Sequence, residues 1–341
     1  MVRPGPAPLP HPAATPDGRV DAVRRIAVPP RYDLAGTVGA LVVGRRDPTA
    51  RLAVREFWRA SRTPDGPGTI RLRHDGDKLI ATGYGPGAEW LVSHADALAG
   101  LHTLPDTPVS AAGSGAGRDG SGLLSAAFAE VAARHPLVAR LAGQRPGLLI
   151  PRSGRVFQEL LATVIQQKVT FIEAARSYLA VVRHFGEPAP GPADLLLPPD
   201  PAAVAATPYW VFHPMGIEQK RADTLRRAAS VAARLEETVD FSPADAARRL
   251  RAVPGIGAWT VGELGRLAYG DPDAVSVGDF HLPHQVAWTL AGERRATDER
   301  MLELLEPFAG HRSRVVRLIV TAGTLPPRRG PRMPLRSFAR S

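Results

Sequence analysis

Polar and apolar positions change their period once along the chain. From Asp21 to about Leu104, short apolar runs and alternations are broken by turn signals. This predicts strands over 37–43, 52–59, 69–74 and 78–82. Thr63-Pro64-Asp65-Gly66 and His74-Asp75-Gly76-Asp77 read as turns between them. The second joins the alternating run Ile70-Arg71-Leu72-Arg73 to Leu79-Ile80, so a hairpin is expected there. From 123 to 323 the apolar spacing is helical, over 123–133, 155–166, 170–185, 218–235, 243–252, 258–269, 281–290, 298–308 and 313–322. Ser242-Pro243 and Thr297-Asp298 supply helix starts. The expected class is α+β: a small N-terminal antiparallel β-sheet domain with helices over 19–105, then an all-α domain over 123–324. No period of 20–50 residues repeats, which argues against a solenoid.

The intervening stretches differ in composition. Residues 1–18 are proline-rich and polar and read as a disordered leader; residues 106–122 are Gly/Ser-rich and read as a linker. Residues 325–341 hold five Arg and no acid and read as a basic flexible tail. No apolar core follows a basic start, and no run nears the ~18 apolar residues of a membrane helix. A soluble cytoplasmic protein with no membrane partner is expected. Cysteine is absent, which excludes disulfides, zinc-thiolate sites and cysteine-ligated iron–sulfur clusters. The net charge of +10 invites an anionic partner, nucleic acid above all. Its weight is small, because the tail carries half of it and an Ala-, Gly-, Pro- and Arg-rich composition would arise from GC-rich coding anyway.

The sharpest local signal is Leu250-Arg251-Ala252-Val253-Pro254-Gly255-Ile256-Gly257-Ala258-Trp259-Thr260. One helix ends near Leu250 and another opens near Ala258. Glycines at 255 and 257 permit positive φ and close approach of another backbone. Such a turn aims the free amides of a helix start at an anion, and so grips a phosphate without reading sequence. An ordinary helix–turn–helix connection with a glycine cap is the competing reading. A P-loop is disfavoured, because no strand precedes the turn and no Lys-Ser/Thr follows it.

Nineteen residues after Thr260 stands Asp279, in Val275-Ser276-Val277-Gly278-Asp279-Phe280-His281-Leu282. Hairpin, Gly-containing loop and Asp at a helix start together resemble the helix-hairpin-helix DNA glycosylases. Val164-Ile165-Gln166-Gln167-Lys168-Val169-Thr170 is similar to that family's Gln-containing segment entering the minor groove. Gly216-Ile217 to Lys220-Arg221-Ala222 matches its helix before the hairpin, and Arg312-Ser313 its closing helix. The β-rich region is similar to the extra domain of the inducible bacterial 3-methyladenine DNA glycosylases. The resemblance covers roughly 20–323. It implies a monomeric, nucleoid-associated enzyme acting on double-stranded DNA with damaged, alkylated purines, with no cofactor required.

The resemblance implies roles residue by residue. Asp279 is the catalytic carboxylate, stabilising the positive charge that builds on the sugar as the base departs; by itself it reads as a helix N-cap, and the two roles are compatible. Trp259 stands where lyase-competent members carry a Schiff-base Lys, so a monofunctional enzyme with no abasic-site lyase activity is expected. Its indole stacks on the extruded base or is an ordinary core residue. Gly255, Ile256, Gly257 and Thr260 form the phosphate clamp, with carbonyls of Val253 and Ile256 around a possible monovalent cation. Lys168 stands at the wedge position but departs from the apolar residue of the relatives, so it either fills the emptied stack or contacts a phosphate or the opposite strand, with Gln167 as the rival plug.

The base pocket is assigned to Trp259, Glu263, Phe280, His281 and His311. Glu263 lies one turn beyond Trp259 and either selects cationic bases, or is solvated or paired with Arg266. Arg312 binds a phosphate or pairs with Asp279. His281 and His284 with Asp279 lack a third well-spaced ligand, so no catalytic metal is expected. Tyr209-Trp210-Val211-Phe212 is read as core before pocket, and Trp58 and Trp90 as core. The competing functions are a non-catalytic hairpin DNA-binding protein, a bifunctional oxidised-base glycosylase and a helical transcription regulator.

Overall fold

The computed structural model describes residues 18–101 and 126–323. The leader up to residue 17, the Gly/Ser-rich stretch and the Arg-rich tail lie outside the described residues.

Five strands form one antiparallel sheet in the order β1-β5-β4-β3-β2: β1 (Ala22–Ala27), β2 (Ala50–Ala53), β3 (Glu56–Thr63), β4 (Gly66–Asp75) and β5 (Lys78–Tyr84). The two expected turns both close hairpins, pairing Thr63 with Gly66 and Asp75 with Lys78. Alternation sends Phe57, Ile70, Leu72, Leu79 and Ala81 into one core. Arg71 goes to the other face, where Glu56 accepts from its Nε at 3.0 Å. Helices α1 (Leu34–Val38), α2 (Ala88–Ser93) and α3 (Ala95–Leu98) cover the apolar face.

Two strand expectations change. Residues 37–43 are not a strand: α1 and a 3-10 turn at Gly39–Leu41 occupy that region. Asp33 caps α1 by accepting from the Gly36 amide at 2.7 Å, and Thr37 is fully buried with its Oγ1 accepting from Leu149 N at 3.0 Å. A local cap and a tertiary bond therefore override β-branched content. The 52–59 run is two strands, β2 and β3, turning at Val54-Arg55.

The remaining helices are α4 (Ala126–Ala132), α5 (Pro136–Gln144), α6 (Val156–Gln166), α7 (Phe171–Phe185), α8 (Pro201–Ala206), α9 (Tyr209–Phe212), α10 (Gln219–Ser230), α11 (Ala232–Glu236), α12 (Pro243–Arg251), α13 (Ala258–Leu264), α14 (Leu282–Ala291), α15 (Asp298–Leu305) and α16 (Arg312–Ala322). One π turn, Gly265–Tyr269, continues α13. The 218–235 run divides at Val231 into α10 and α11. Residues 186–200 are not helical. They make one β-bridge, Pro188 to Leu196, and lay Ala193, Leu195 and Leu197 on Ala60 of β3.

Three cores meet at α13. Leu264 and Ala268 join the cluster of α6, α7 and α10; Leu267 joins the sheet core; Val275, just downstream, packs on the cluster of α14, α15 and α16. Phe212 is buried and Tyr209 packs against the first cluster, so α9 is core except for exposed Trp210. Trp58 and Trp90 are half-buried rather than core, each beneath an Arg guanidinium.

Sheet and helices are locked by polar groups held out of water. Arg59 of β3 and Glu159 of α6 form a hydrogen-bonded ion pair with both side chains 4% exposed. Burial pushes the Glu159 carboxyl pKa up, and the Arg59 charge opposes that rise. Beside them Gln158 Nε2 donates to Ala60 O at 3.1 Å, and Thr49 Oγ1 and Tyr178 OH lie 3.1 Å apart.

Removing one member of such a pair strands the other charge. Arg59→Met is expected to destabilise the fold by about 3–5 kcal/mol in urea unfolding, while Arg59→Met combined with Glu159→Leu recovers most of the loss. Equal destabilisation of single and double variants would contradict this account.

Candidate active site

The hairpin is α12, a turn through Val253–Gly257, and α13. Val253 and Ile256 are buried and pin the turn to the core. Gly255 has φ +100°, and a Cβ there would sit 2.0 Å from Thr224 Oγ1 of α10. Both conformation and space therefore require glycine. Gly257 differs from expectation: its φ of −102° is ordinary, and a Cβ there would meet open space. The permission for close approach is at 257, the positive φ at 255. Gly257 caps α13 with no side-chain hydrogen bond, so the first amides of the helix are left for an outside acceptor.

The loop between α6 and α7 lies against this turn. Gln167 Nε2 donates to Gly255 O at 3.1 Å and to Thr260 Oγ1 at 3.0 Å. Thr260 is buried, so its contribution is to hold Gln167 rather than to present a hydroxyl. Gln167 acts as a staple between loop and hairpin in this structure. Lys168 next to it is exposed and sits in the left-handed region at φ +56°. A non-glycine residue held there marks a turn fixed by its surroundings. Buried Arg221 sets that turn by donating to Ile165 O at 2.7 Å, at the end of α6.

Asp279 stands where α13 and α14 converge. Its Oδ1 accepts from the amides of His281 and Leu282, each at 2.8 Å. Its Oδ2 accepts from Trp259 Nε1 at 3.0 Å. The N-cap of α14 is His281 rather than Asp279; Asp279 instead closes the turn leading into the helix, and this occupies one oxygen only. Trp259 fixes the other from across the site, edge-on to the carboxylate.

The loop carrying Asp279 is pressed onto α13. A Cβ on Gly262 would lie 2.4 Å from Val275 O, and one on Gly265 would lie 2.6 Å from the Ala274 Cβ. Ser276 Oγ donates to Glu263 Oε1 at 2.5 Å, and Asp298 of α15 accepts from Gly278 N at 3.0 Å. Glu263 also receives a two-pronged bond from Arg266 and is 12% exposed. Of the two roles expected for it, pairing with Arg266 is the one realised, and Glu263 is not a free carboxylate facing a base. Burial works against the Arg266 guanidinium, but the charge and hydrogen bond of Glu263 outweigh it and raise its pKa, helped by Glu159 and Asp279. Asp298 and Ser276 are positioning groups that sequence reasoning missed: the sequence marks Asp298 only as a helix start, and Ser276 carries no signal there.

Other expected residues fall further out. Phe280 is 80% exposed and His281 is exposed, so both border the site on its open side. His284 Nδ1 accepts from Ala296 N at 3.1 Å and serves the α14–α15 connection. His311 packs on Phe128, with ring centroids 5.4 Å apart, and no hydrogen bond joins it to Asp279 or Trp259. Burial and Arg314 depress its pKa, against the opposing charge of Asp273. Arg312 forks onto Asp273, Nε to Oδ1 at 2.8 Å, and not onto Asp279. Among the described residues no group of three His, Asp or Glu is arranged to hold a metal.

No family model matches the chain. DNA-3-methyladenine glycosylase 2 of Escherichia coli (strain K12) is 27% identical over 165 residues, 47% of this chain and 58% of that protein. The matched stretch thus falls short of two thirds of the relative's length. The backbone is similar to the 3-methyladenine DNA glycosylase of Archaeoglobus fulgidus, with TM-score 0.69, 17% identity, and 87% of this chain and 97% of that one covered. It is also similar to the 8-oxoguanine glycosylase/lyase of Clostridium acetobutylicum, at TM-score 0.63, 11% identity, and 88% and 98% covered. This is the helix-hairpin-helix DNA glycosylase fold. The Clostridium protein, solved also with double-stranded DNA containing cytosine opposite 8-oxoG, is similar at TM-score 0.62 and 12% identity, with 90% and 99% covered. In the glycosylase fold of this chain, the hairpin, the Gln167–Lys168 loop and Asp279 are brought together, and His311 and Arg312 stand apart from them.

Two outcomes follow. Gly262→Ala should push the Asp279 loop off α13 and cost about 1–3 kcal/mol of stability in denaturant unfolding; an unchanged midpoint would show that the loop yields freely. Burial would raise the Asp273 pKa, but Arg312 overcomes this and holds it below the usual aspartate range. Stability from this pair is therefore complete above the unfolded pKa of about 3.9 and lost as pH falls through the lower folded value. Urea midpoints followed downward from pH 6 should drop less steeply for Arg312→Leu than for the wild type, and parallel curves would rule the linkage out.

Proposed function

We propose that the chain is a monofunctional DNA glycosylase, hydrolysing the N-glycosidic bond of damaged, alkylated purines after base flipping and leaving an abasic site. The observation that carries this reading is the Asp279 carboxylate, held by two backbone amides and the Trp259 indole beside a hairpin with an open glycine and free helix-start amides. The similarity to 3-methyladenine glycosylases supports the substrate class.

The chemistry follows from that geometry. The hairpin amides at Gly257 hold a phosphate of duplex DNA, and exposed Lys168 projects from the neighbouring turn toward the strand or the emptied stack. Once the nucleotide is extruded, the C1′–N bond breaks and the base leaves with the bonding electrons. Asp279, anionic and fixed, stabilises the positive charge on the sugar without reorganising. Water then adds to C1′ and its proton passes to Oδ2, whose second lone pair Trp259 leaves unused. Trp259 offers no amine, so no Schiff base forms from α13. Oδ1 accepts the two backbone amides of His281 and Leu282, which prevents the carboxylate from rotating away.

No cofactor takes part. A monovalent cation at the carbonyls of Val253 and Ile256 belongs to the proposal: Val253 O already accepts Ile256 N at 3.1 Å, and a cation would use its second lone pair. The protein is read as a monomer acting in the nucleoid on double-stranded DNA. Among the described residues no helix is long and apolar enough to cross a membrane.

Asp279→Asn tests the reading. Release of methylated bases from alkylated DNA should fall by about 10²–10³-fold or more, with duplex binding retained. Wild-type reactions run with borohydride should trap no covalent DNA adduct. Full turnover by Asp279→Asn would overturn the assignment, and wild-type binding without base release would favour a non-catalytic DNA-binding protein.

A further inference from the structure

A groove of about 940 Å³ runs along α7, between that helix, the segment from Gly39 to Leu52 and residues 194–196. No step of the proposed reaction uses it. We propose that it is a second phosphate track, which binds the DNA backbone of the duplex arm leading away from the lesion. This rests on the glycosylase reading of the hairpin and Asp279.

Charge is the first argument. Arg45, Arg46, Arg51 and Arg183 line the groove, and its acids are Asp47 and Asp194. Asp47 is turned inward and spent: Val43 N, Thr49 N and Thr49 Oγ1 donate to it at 2.7–2.8 Å. Asp194 is fully exposed, and among the described residues its carboxylate pairs with Arg51 alone, at 3.7 Å. Arg45, Arg46 and Arg183 are exposed, and among the described residues no acid lies within ion-pair distance of them. Guanidinium groups gathered in a groove with so little counter-charge attract a polyanion.

Shape and position make that polyanion a nucleic-acid backbone. Phe171, Leu179 and Arg183 lie on one stripe of α7, spaced by multiples of four, so the groove follows the helix axis. Ala175 on the same stripe meets the tip of the opposite wall, 2.9 Å from where a Cβ on Gly44 would stand. Fifteen residues of α7 extend about 22 Å, roughly two thirds of a duplex turn. One end opens at Phe171, three residues after Lys168, in the same loop whose Gln167 bonds the hairpin. A strand gripped at the hairpin and passing Lys168 is thereby led to the groove mouth. An acidic protein segment would satisfy the charge but not this continuity.

The probe is an abasic-site duplex with arms of half a helical turn (about 5 base pairs) or one and a half turns (about 16) on either side. Affinity is measured by anisotropy across a salt series. The wild type should bind the long duplex more tightly and with a steeper salt dependence than the short one. In Arg45→Glu/Arg46→Glu, the log–log slope on the long duplex should fall by about 2, and in Arg183→Glu by about 1, bringing it toward the short-duplex slope. Arg45→Gln/Arg46→Gln should shift it in the same direction, and circular dichroism checks folding. Each protein's short-duplex affinity is its own reference. Wild-type slopes in the charge-reversed proteins would overturn the proposal, as would a wild type indifferent to arm length that still excises bases. Failure to bind either duplex or to release any base would instead count against the glycosylase reading on which it stands.

Discussion

Carboxylates kept from bulk water must be matched by cations or hydrogen-bond donors, and here that constraint runs from the sheet to the candidate site. Arg59 neutralises Glu159 at the joint between β3 and α6. Glu159 in turn acts on Arg266, which is bound to Glu263 and feels Asp279. Arg59 and Glu159 sit on different elements, so separating α6 from β3 would leave a buried charge unmatched, whereas Glu263 and Arg266 travel together on one helix. The π turn that carries Arg266 belongs to this logic as well. It sends Leu267 to the sheet core while Leu264 and Ala268 stay with the helices, and so ties α13 to both.

Around that frame the site is assembled by close backbone contact. Glycine at 255 lets the hairpin rest on Thr224, and glycine at 262 lets the loop before Asp279 rest on α13. Side chains at either place would separate clamp and carboxylate. Ser276 and Asp298 then hold the loop from opposite sides. Asp279 is held without being consumed. The two amides leading into α14 use Oδ1, the indole uses one lone pair of Oδ2, and a structural duty thereby becomes pre-orientation.

The comparison with sequence-based expectation is instructive where the two differ. Residues 37–43 have the apolar alternation of a strand, yet Asp33 and the buried hydroxyl of Thr37 make them helical. Residues 186–200 sit within the helical half of the chain but pack on the sheet, because apolar alternation at 193, 195 and 197 finds Ala60 exposed to it. Glu263, Gln167 and Arg312 were candidates for contact with base or DNA by position alone. Arg266 and Ser276 hold the Glu263 carboxylate, Gly255 and Thr260 take the Gln167 amide nitrogen, and Asp273 holds Arg312. Phe280, beside the key carboxylate, is left almost wholly in solvent.

By itself the sequence determined what depends on short range. The turn at Gly255, the helix starts at Ser242 and Thr297, the two sheet hairpins, and an Asp able to close the turn into α14 follow from backbone preference and hydrogen bonds within a few residues. Tertiary structure alone decided which partner each long polar side chain would take, that Trp259 would reach Asp279, and that α7, with its own Arg183, would face three arginines across a groove. Arginine and glutamate side chains reach several alternatives at once. Only the burial of neighbouring surfaces, which is a property of the whole fold, selects among them.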